Sequence, residues 1–143
     1  MSIVFHTIPF FSQRIPMLKE WLQQCAFDHQ ATIVRLEYNF VTPDRLYAIN
    51  KAHLNHTTDT DVITFSYGST AAIEAEIFIS YQMVTENAHK YIQSTENELL
   101  RVIIHGFLHC LGFVDNTQQT KEQMRQLENT WIDKFHVKHH SNE

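Results

Sequence analysis

From Leu99 to Phe113 the chain reads LLRVIIHGFLHCLGF, a run that is apolar on nearly every helical face yet carries Arg101, His105 and His109. A helix of that kind has to sit at the centre of a domain, because no side of it can face water without loss. It is too short and too polar to cross a bilayer, which takes roughly 18–20 apolar residues. The run therefore predicts a buried central helix from Glu96 to about Leu111, and everything else must pack around it. The ring nitrogens of the two histidines then need partners, since unpaired buried polar groups are costly.

The flanking segments predict what does the packing. Ile3 to Phe5 suits a short strand, and Arg14 to Phe27 an amphipathic helix with Leu18, Trp21, Leu22 and Cys25 on one face. Thr32 to Phe40 alternates as a strand, with Ile33, Arg35, Glu37 and Asn39 interleaved with Val34, Leu36 and Tyr38. Thr42-Pro43-Asp44 opens a helix to about His53. Asp61 to Tyr67 and Ile73 to Ser80 read as a hairpin across Gly68-Ser69-Thr70, followed by a helix from Tyr81 to about Tyr91. Thr95 with Glu98, and Thr120 with Gln123, have the spacing of helix caps, the second opening a helix to about Phe135. The tail from His136 reads as frayed and the indole rings of Trp21 and Trp131 as core. Strands early and helices late predict one α+β domain over residues 1–143, a small mixed sheet packed with helices.

Composition narrows the chemistry. Eleven Lys+Arg against sixteen Asp+Glu give −5 with histidines neutral, so bulk positive charge cannot make this a generic polyanion binder. Cys25 and Cys110 are too few for a disulfide framework and read as reduced. The N-terminus lacks a basic flank and a long enough apolar stretch for a signal peptide, so a cytoplasmic, non-membrane protein is expected.

His105 and His109 leave the same helix face with Cβ atoms about 5–6 Å apart, close enough for each to place a nitrogen about 2.0–2.1 Å from one Zn²⁺. Spacing alone says little among ten histidines, and the tail pair His136/His140 reads as solvated. The surroundings add weight. Gly112 stands where a helix ending in a left-handed residue needs glycine, and the chain can then return Asp115 to the same point. Three ligands with an open position are the arrangement of a catalytic metal site. The bland alternative is two hydrogen-bonded core histidines and an Asp capping the next helix. The spacing also matches the metzincin zinc helix, but Gly106 stands in place of the general-base Glu and Asp115 in place of the third His.

His105, Gly106, Leu108, His109 and Gly112 also match the signature His-Gly-x-Leu-His-Leu-x-Gly-x-Asp-His, and on these residues the chain resembles the YbeY family of bacterial rRNA maturation endoribonucleases. Thr60 to Ser66 is similar to that family's Thr-Asp/Asn-Val-Leu-Ser-Phe strand, and Glu76 to Ser80 with Glu86-Asn87-Ala88 to its Gly-Asp-Ile strand and following helix. The departures are Asp115 for the third His, Val114 for the Asp before it, Glu76 for the strand Asp, and Leu54 for an Arg implied in catalysis.

The resemblance implies a metal-dependent, single-strand-specific endoribonuclease acting in rRNA maturation and ribosome biogenesis, with rRNA and the small ribosomal subunit as partners and no DNA. His105, His109 and Asp115 are the expected ligands of one divalent ion, Zn²⁺ first and Mn²⁺ less excluded than in a three-histidine site, because Asp115 is anionic and oxygen-donating. Glu76, His56 and Arg101 are the expected catalytic group: Glu76 to position water, Arg101 to contact phosphate in place of the missing Arg, His56 from the loop before the Thr60–Ser66 strand. A minimal metalloprotease and a non-catalytic ribosome-assembly protein remain the alternatives.

Overall fold

The computed structural model describes residues 2–7, 14–54 and 60–140. Nine elements follow in the order β1 (Ser2–His6), α1 (Ile15–Asp28), β2 (Thr32–Val41), α2 (Pro43–Leu54), β3 (Val62–Ser66), β4 (Ala72–Ser80), α3 (Tyr81–Lys90), α4 (Thr95–Cys110) and α5 (Gln118–His140). The sheet order is β1-β2-β4-β3, with β1, β2 and β4 parallel and β3 antiparallel to β4. The α+β class and the mixed sheet hold.

One face of the sheet makes the main core. Ile73, Ala75, Ile77 and Ile79 of β4 and Leu36, Tyr38 and Phe40 of β2 are buried with Leu99, Leu100, Ile103, Ile104, Phe107 and Leu108 of α4. The Tyr38 hydroxyl donates to the Ile103 carbonyl at 2.9 Å, and Trp21 Nε1–H to the Trp131 carbonyl at 2.8 Å, so each buried polar tip has a partner. On the opposite face, Leu46 and Ile49 of α2 cover Ile63, Phe65 and Phe78 in a smaller cluster.

Three expectations change in detail. In β2 the register shifts between Ile33 and Arg35, a bulge that turns Ile33 inward with Leu36 and leaves Val34 half exposed. The side chain that caps α4 belongs to Ser94, which accepts from the Asn97 amide, and α5 begins on a reciprocal pair in which Thr117 and Thr120 each accept the other's amide. α5 also continues past Phe135 to His140, and His136 is hydrogen-bonded to Asn97, so residues 136–140 are helix and not a frayed tail. Among the described residues, no helix is long and apolar enough to cross a membrane.

Candidate metal centre

α4 ends in two coupled turns. Gly112 takes φ +103°, and the amides of Gly112 and Phe113 donate back to the carbonyls of His109 and Leu108 at 3.0 and 3.1 Å. That Schellman pairing reverses the chain within one turn of His109. It also presents Asp115 to the helix end: its carboxylate oxygens lie 3.4 Å from His105 Nε2 and 3.6 Å from His109 Nε2.

The two Nε2 atoms are 3.0 Å apart. Each ring's other nitrogen is committed. His105 Nδ1 lies 2.6 Å from Glu128 Oε2, and His109 Nδ1 lies 2.9 Å from the Phe113 carbonyl oxygen. A carbonyl and an ionised carboxylate only accept, so both Nδ1 atoms carry a proton, and each Nε2 exposes a lone pair when its ring is neutral. Two lone pairs and a carboxylate facing one point call for a cation. A tetrahedron with ligands about 2.0–2.1 Å from its centre has edges of roughly 3.4 Å, which the separations of 3.0, 3.4 and 3.6 Å bracket. The donor set therefore fits a divalent ion, and His105, His109 and Asp115 can hold one.

Glu128 is the residue that sequence reasoning missed. It is 4% exposed on α5, and its second oxygen accepts from Arg101 Nη1 at 2.8 Å while Arg101 Nη2 donates to Asn129 Oδ1 at 2.8 Å. The signal for it was an acid between Met124, Trp131 and Ile132 on the apolar face of an otherwise amphipathic helix. Its carboxyl is held below the usual range: burial opposes this, but the His105 and Arg101 hydrogen bonds outweigh burial.

The two histidines split. Burial works against a charged His105, yet the hydrogen bond and charge of Glu128, with the charges of Asp115 and Asp61, keep it above the usual histidine value. His109 is pushed below that value by burial and by the His105 charge. In the metal-free protein a proton on His105 Nε2 can thus be shared toward His109. Because proton and metal compete for Nε2, metal affinity is full above the raised His105 value and is lost as pH falls through it. Metal titration near neutral pH is expected to release about one proton per ion, and fewer as pH rises. Calorimetry in buffers of different ionisation enthalpy measures this, and a release that does not change with pH counts against it.

Gly106 accounts for the missing general-base Glu. A Cβ there would stand 3.1 Å from Thr64 Oγ1 and 3.1 Å from Ile77 Cδ1, where α4 lies against β3 and β4. A side chain at this position would crowd Thr64 and Ile77, which would have to give by a few tenths of an ångström. Gly106→Ala is expected to cost up to about 2 kcal/mol, crowding of about 1–3 kcal/mol being offset by roughly 1 kcal/mol of helix propensity, read as a lower denaturant midpoint with unchanged slope.

The other expected site residues are scattered. Arg101 lines one cavity with His105, Asp115, Asp61 and Glu128. Glu76 does not join them: it alternates with the buried Ala75 and Ile77, so it lies on the sheet face away from α4, where its Oε1 accepts from the Tyr67 hydroxyl at 2.9 Å. His56, and the side chain of Leu54, lie outside the described residues.

The profile of the endoribonuclease YbeY family matches residues 11–136 of the chain. This protein belongs to the endoribonuclease YbeY family. YbeY endoribonucleases, hydrolases acting on RNA, are similar to it over most of its length. The Flavobacterium johnsoniae protein is 36% identical over 118 residues, covering 82% of this chain and 85% of its own. That of Christiangramia forsetii is 34% identical over 136 residues, covering 91% and 95%. That of Chloroherpeton thalassium is 48% identical over a shorter stretch of 90 residues, 62% and 64%. The solution structure of TM1509 from Thermotoga maritima superposes with a TM-score of 0.72 at 24% identity, over 99% of this chain and 93% of that one, and so shares the YbeY-type fold.

Proposed function

We propose that this YbeY-family protein cleaves single-stranded RNA by hydrolysis in the cytoplasm, in maturation of the rRNA of the small ribosomal subunit, using Zn²⁺ held by His105, His109 and Asp115. The observation that carries the metal is the pair of Nε2 atoms, 3.0 Å apart and faced by Asp115. The RNA substrate is carried by the relatives named as endoribonucleases.

An ion in that position supplies a Lewis acid that activates water and offsets charge on phosphoryl oxygens. The protein's own groups set the rest. Glu128 and the Phe113 carbonyl hold the two imidazoles in the ligating tautomer. Asp115 lowers the formal charge at a divalent ion to +1, which favours harder ions such as Mn²⁺ more than three imidazoles would. Arg101 is pinned at the cavity wall by Glu128 and Asn129 and retains three of its five donors for a phosphate. His56 is proposed as a further substrate contact. The protease alternative loses ground at Gly106, where the sheet leaves no room for a carboxylate.

The test is cleavage of a labelled single-stranded RNA by zinc-loaded wild type and His105→Ala, with and without chelator. Cleavage is expected to vanish with chelator, return with zinc, and stay at background in the variant. Equal cleavage by both proteins would sink the assignment.

A further inference from the structure

Five of the eleven Lys and Arg side chains are neutralised locally. Arg14, Arg35, Lys134 and Lys138 each pair with a carboxylate, as does Arg101 with Glu128. Lys121 and Arg125 are not among these five, and their place in the fold sets them apart from the remaining cations. They lie one turn apart on α5, both exposed, and among the described residues neither side chain makes a hydrogen bond or ion pair, although the charge of Arg125 acts on the Glu98 carboxyl. Both line the cavity of about 330 Å³ that holds His105 and Asp115.

That cavity continues. A neighbouring one of about 230 Å³ shares Glu98, Arg101 and Arg125 as walls and ends at Tyr91 and Gln93, in the turn between α3 and α4. Tyr91 is 59% exposed, and Lys90 Nζ lies 5.4 Å from the centre of its ring. From His105 back to Glu98 the groove follows about 10 Å of α4, at 1.5 Å per residue.

We propose that this run is the path of the substrate strand: Lys121 and Arg125 hold backbone phosphates beside the metal cluster, and Tyr91 stacks a base of the same strand further along. The proposal rests on the RNA-cleaving reading above and adds how the strand is held. An unpaired strand is the ligand because its bases are free to stack on an exposed ring, whereas bases in a duplex are not. Asp61 and Glu98 share the walls and repel phosphate, which confines the backbone to the α5 side where the two cations are. The path also lets a chain of net charge −5 bind RNA through a few local cations.

The experiment is steady-state cleavage of a labelled single-stranded RNA by the zinc-loaded full chain over a salt series. The variants are Lys121→Gln/Arg125→Gln, Arg125→Lys, Tyr91→Ala and Tyr91→Phe, with zinc content and melting measured for each. The double variant is expected to raise KM at least about tenfold with kcat little changed, and to lower the slope of log(kcat/KM) against log salt by about 0.7 per lost contact. Arg125→Lys recovers the slope. Tyr91→Ala is expected to raise KM by about five- to a hundredfold, and Tyr91→Phe to recover most of it. Wild-type KM and salt slope in all variants, beside an active wild type, would overturn the path and leave the RNA-cleaving reading standing. A wild type that cleaves no RNA overturns both.

Discussion

Asp115→Ala is expected to leave the protein without stoichiometric metal. The two imidazoles, held by their Nδ1 partners, would be neutral donors to an ion, and among the described residues Asp115 is the anion whose oxygens come within 3.4 and 3.6 Å of the two Nε2 atoms. Removing it takes away a third of the donor set and all of its charge. The loss should therefore exceed the roughly 10–100-fold that follows from losing an orienting partner alone. Elemental analysis after gel filtration in zinc is the measurement, with about one ion per chain in wild type and next to none in the variant. Asp115→His, which supplies the family's third imidazole, is expected to bind again. Stoichiometric zinc in Asp115→Ala would remove that residue from the site.

The second large effect is at Glu128. Its carboxylate joins Arg101 to His105 in a nearly dry position, with 6% of its side chain accessible. Truncation to alanine leaves a guanidinium and an imidazole N–H without their acceptor. Breaking a buried ion network in this way costs about 3–5 kcal/mol, which for a chain of this size lowers Tm by roughly 6–20 °C. Zinc affinity should fall about 10–100-fold as well, because His105 is no longer fixed in its ligating tautomer. Glu128→Gln is expected to fall between: its one carbonyl oxygen can serve Arg101 or His105, but its NH₂ confronts the other donor. Unchanged melting and zinc affinity in Glu128→Ala would show that His105 is positioned by something else.

The core helix, the order of elements and the clustering of His105, His109 and Asp115 were legible because each rests on a local pattern. The apolar run of α4, the i,i+4 histidines and Gly112 all lie within one short stretch. What was illegible depended on partners distant in sequence. The β2 bulge arises where the strand is matched to β4, and strict alternation would have put Val34 inside. Both caps were displaced because several hydroxyls stood near each helix start, and Ser94 and Thr117 won over Thr95 and Thr120. Glu76 was placed by analogy with a family position, although its alternation with Ala75 and Ile77 already put it on the other face. Glu128 could have been noticed as a charge among core residues, but its partner Arg101 is on another helix.

The turn after α4 has a consequence for motion. Residues 111–117 carry one of the three residues that can hold an ion, Asp115, and supply the carbonyl that orients another, His109, while Glu128 from the next helix orients the third, His105. An ion bound there ties the end of α4, the connecting segment and α5 at a single knot. Opening that segment would require releasing the ion, so amide hydrogens of residues 111–117 should exchange more slowly by the factor with which metal favours the closed form. The same knot couples the floor of the cavity to its α5 wall. Metal loading then acts as a fastener that fixes how far apart Lys121 and Arg125 stand from His105.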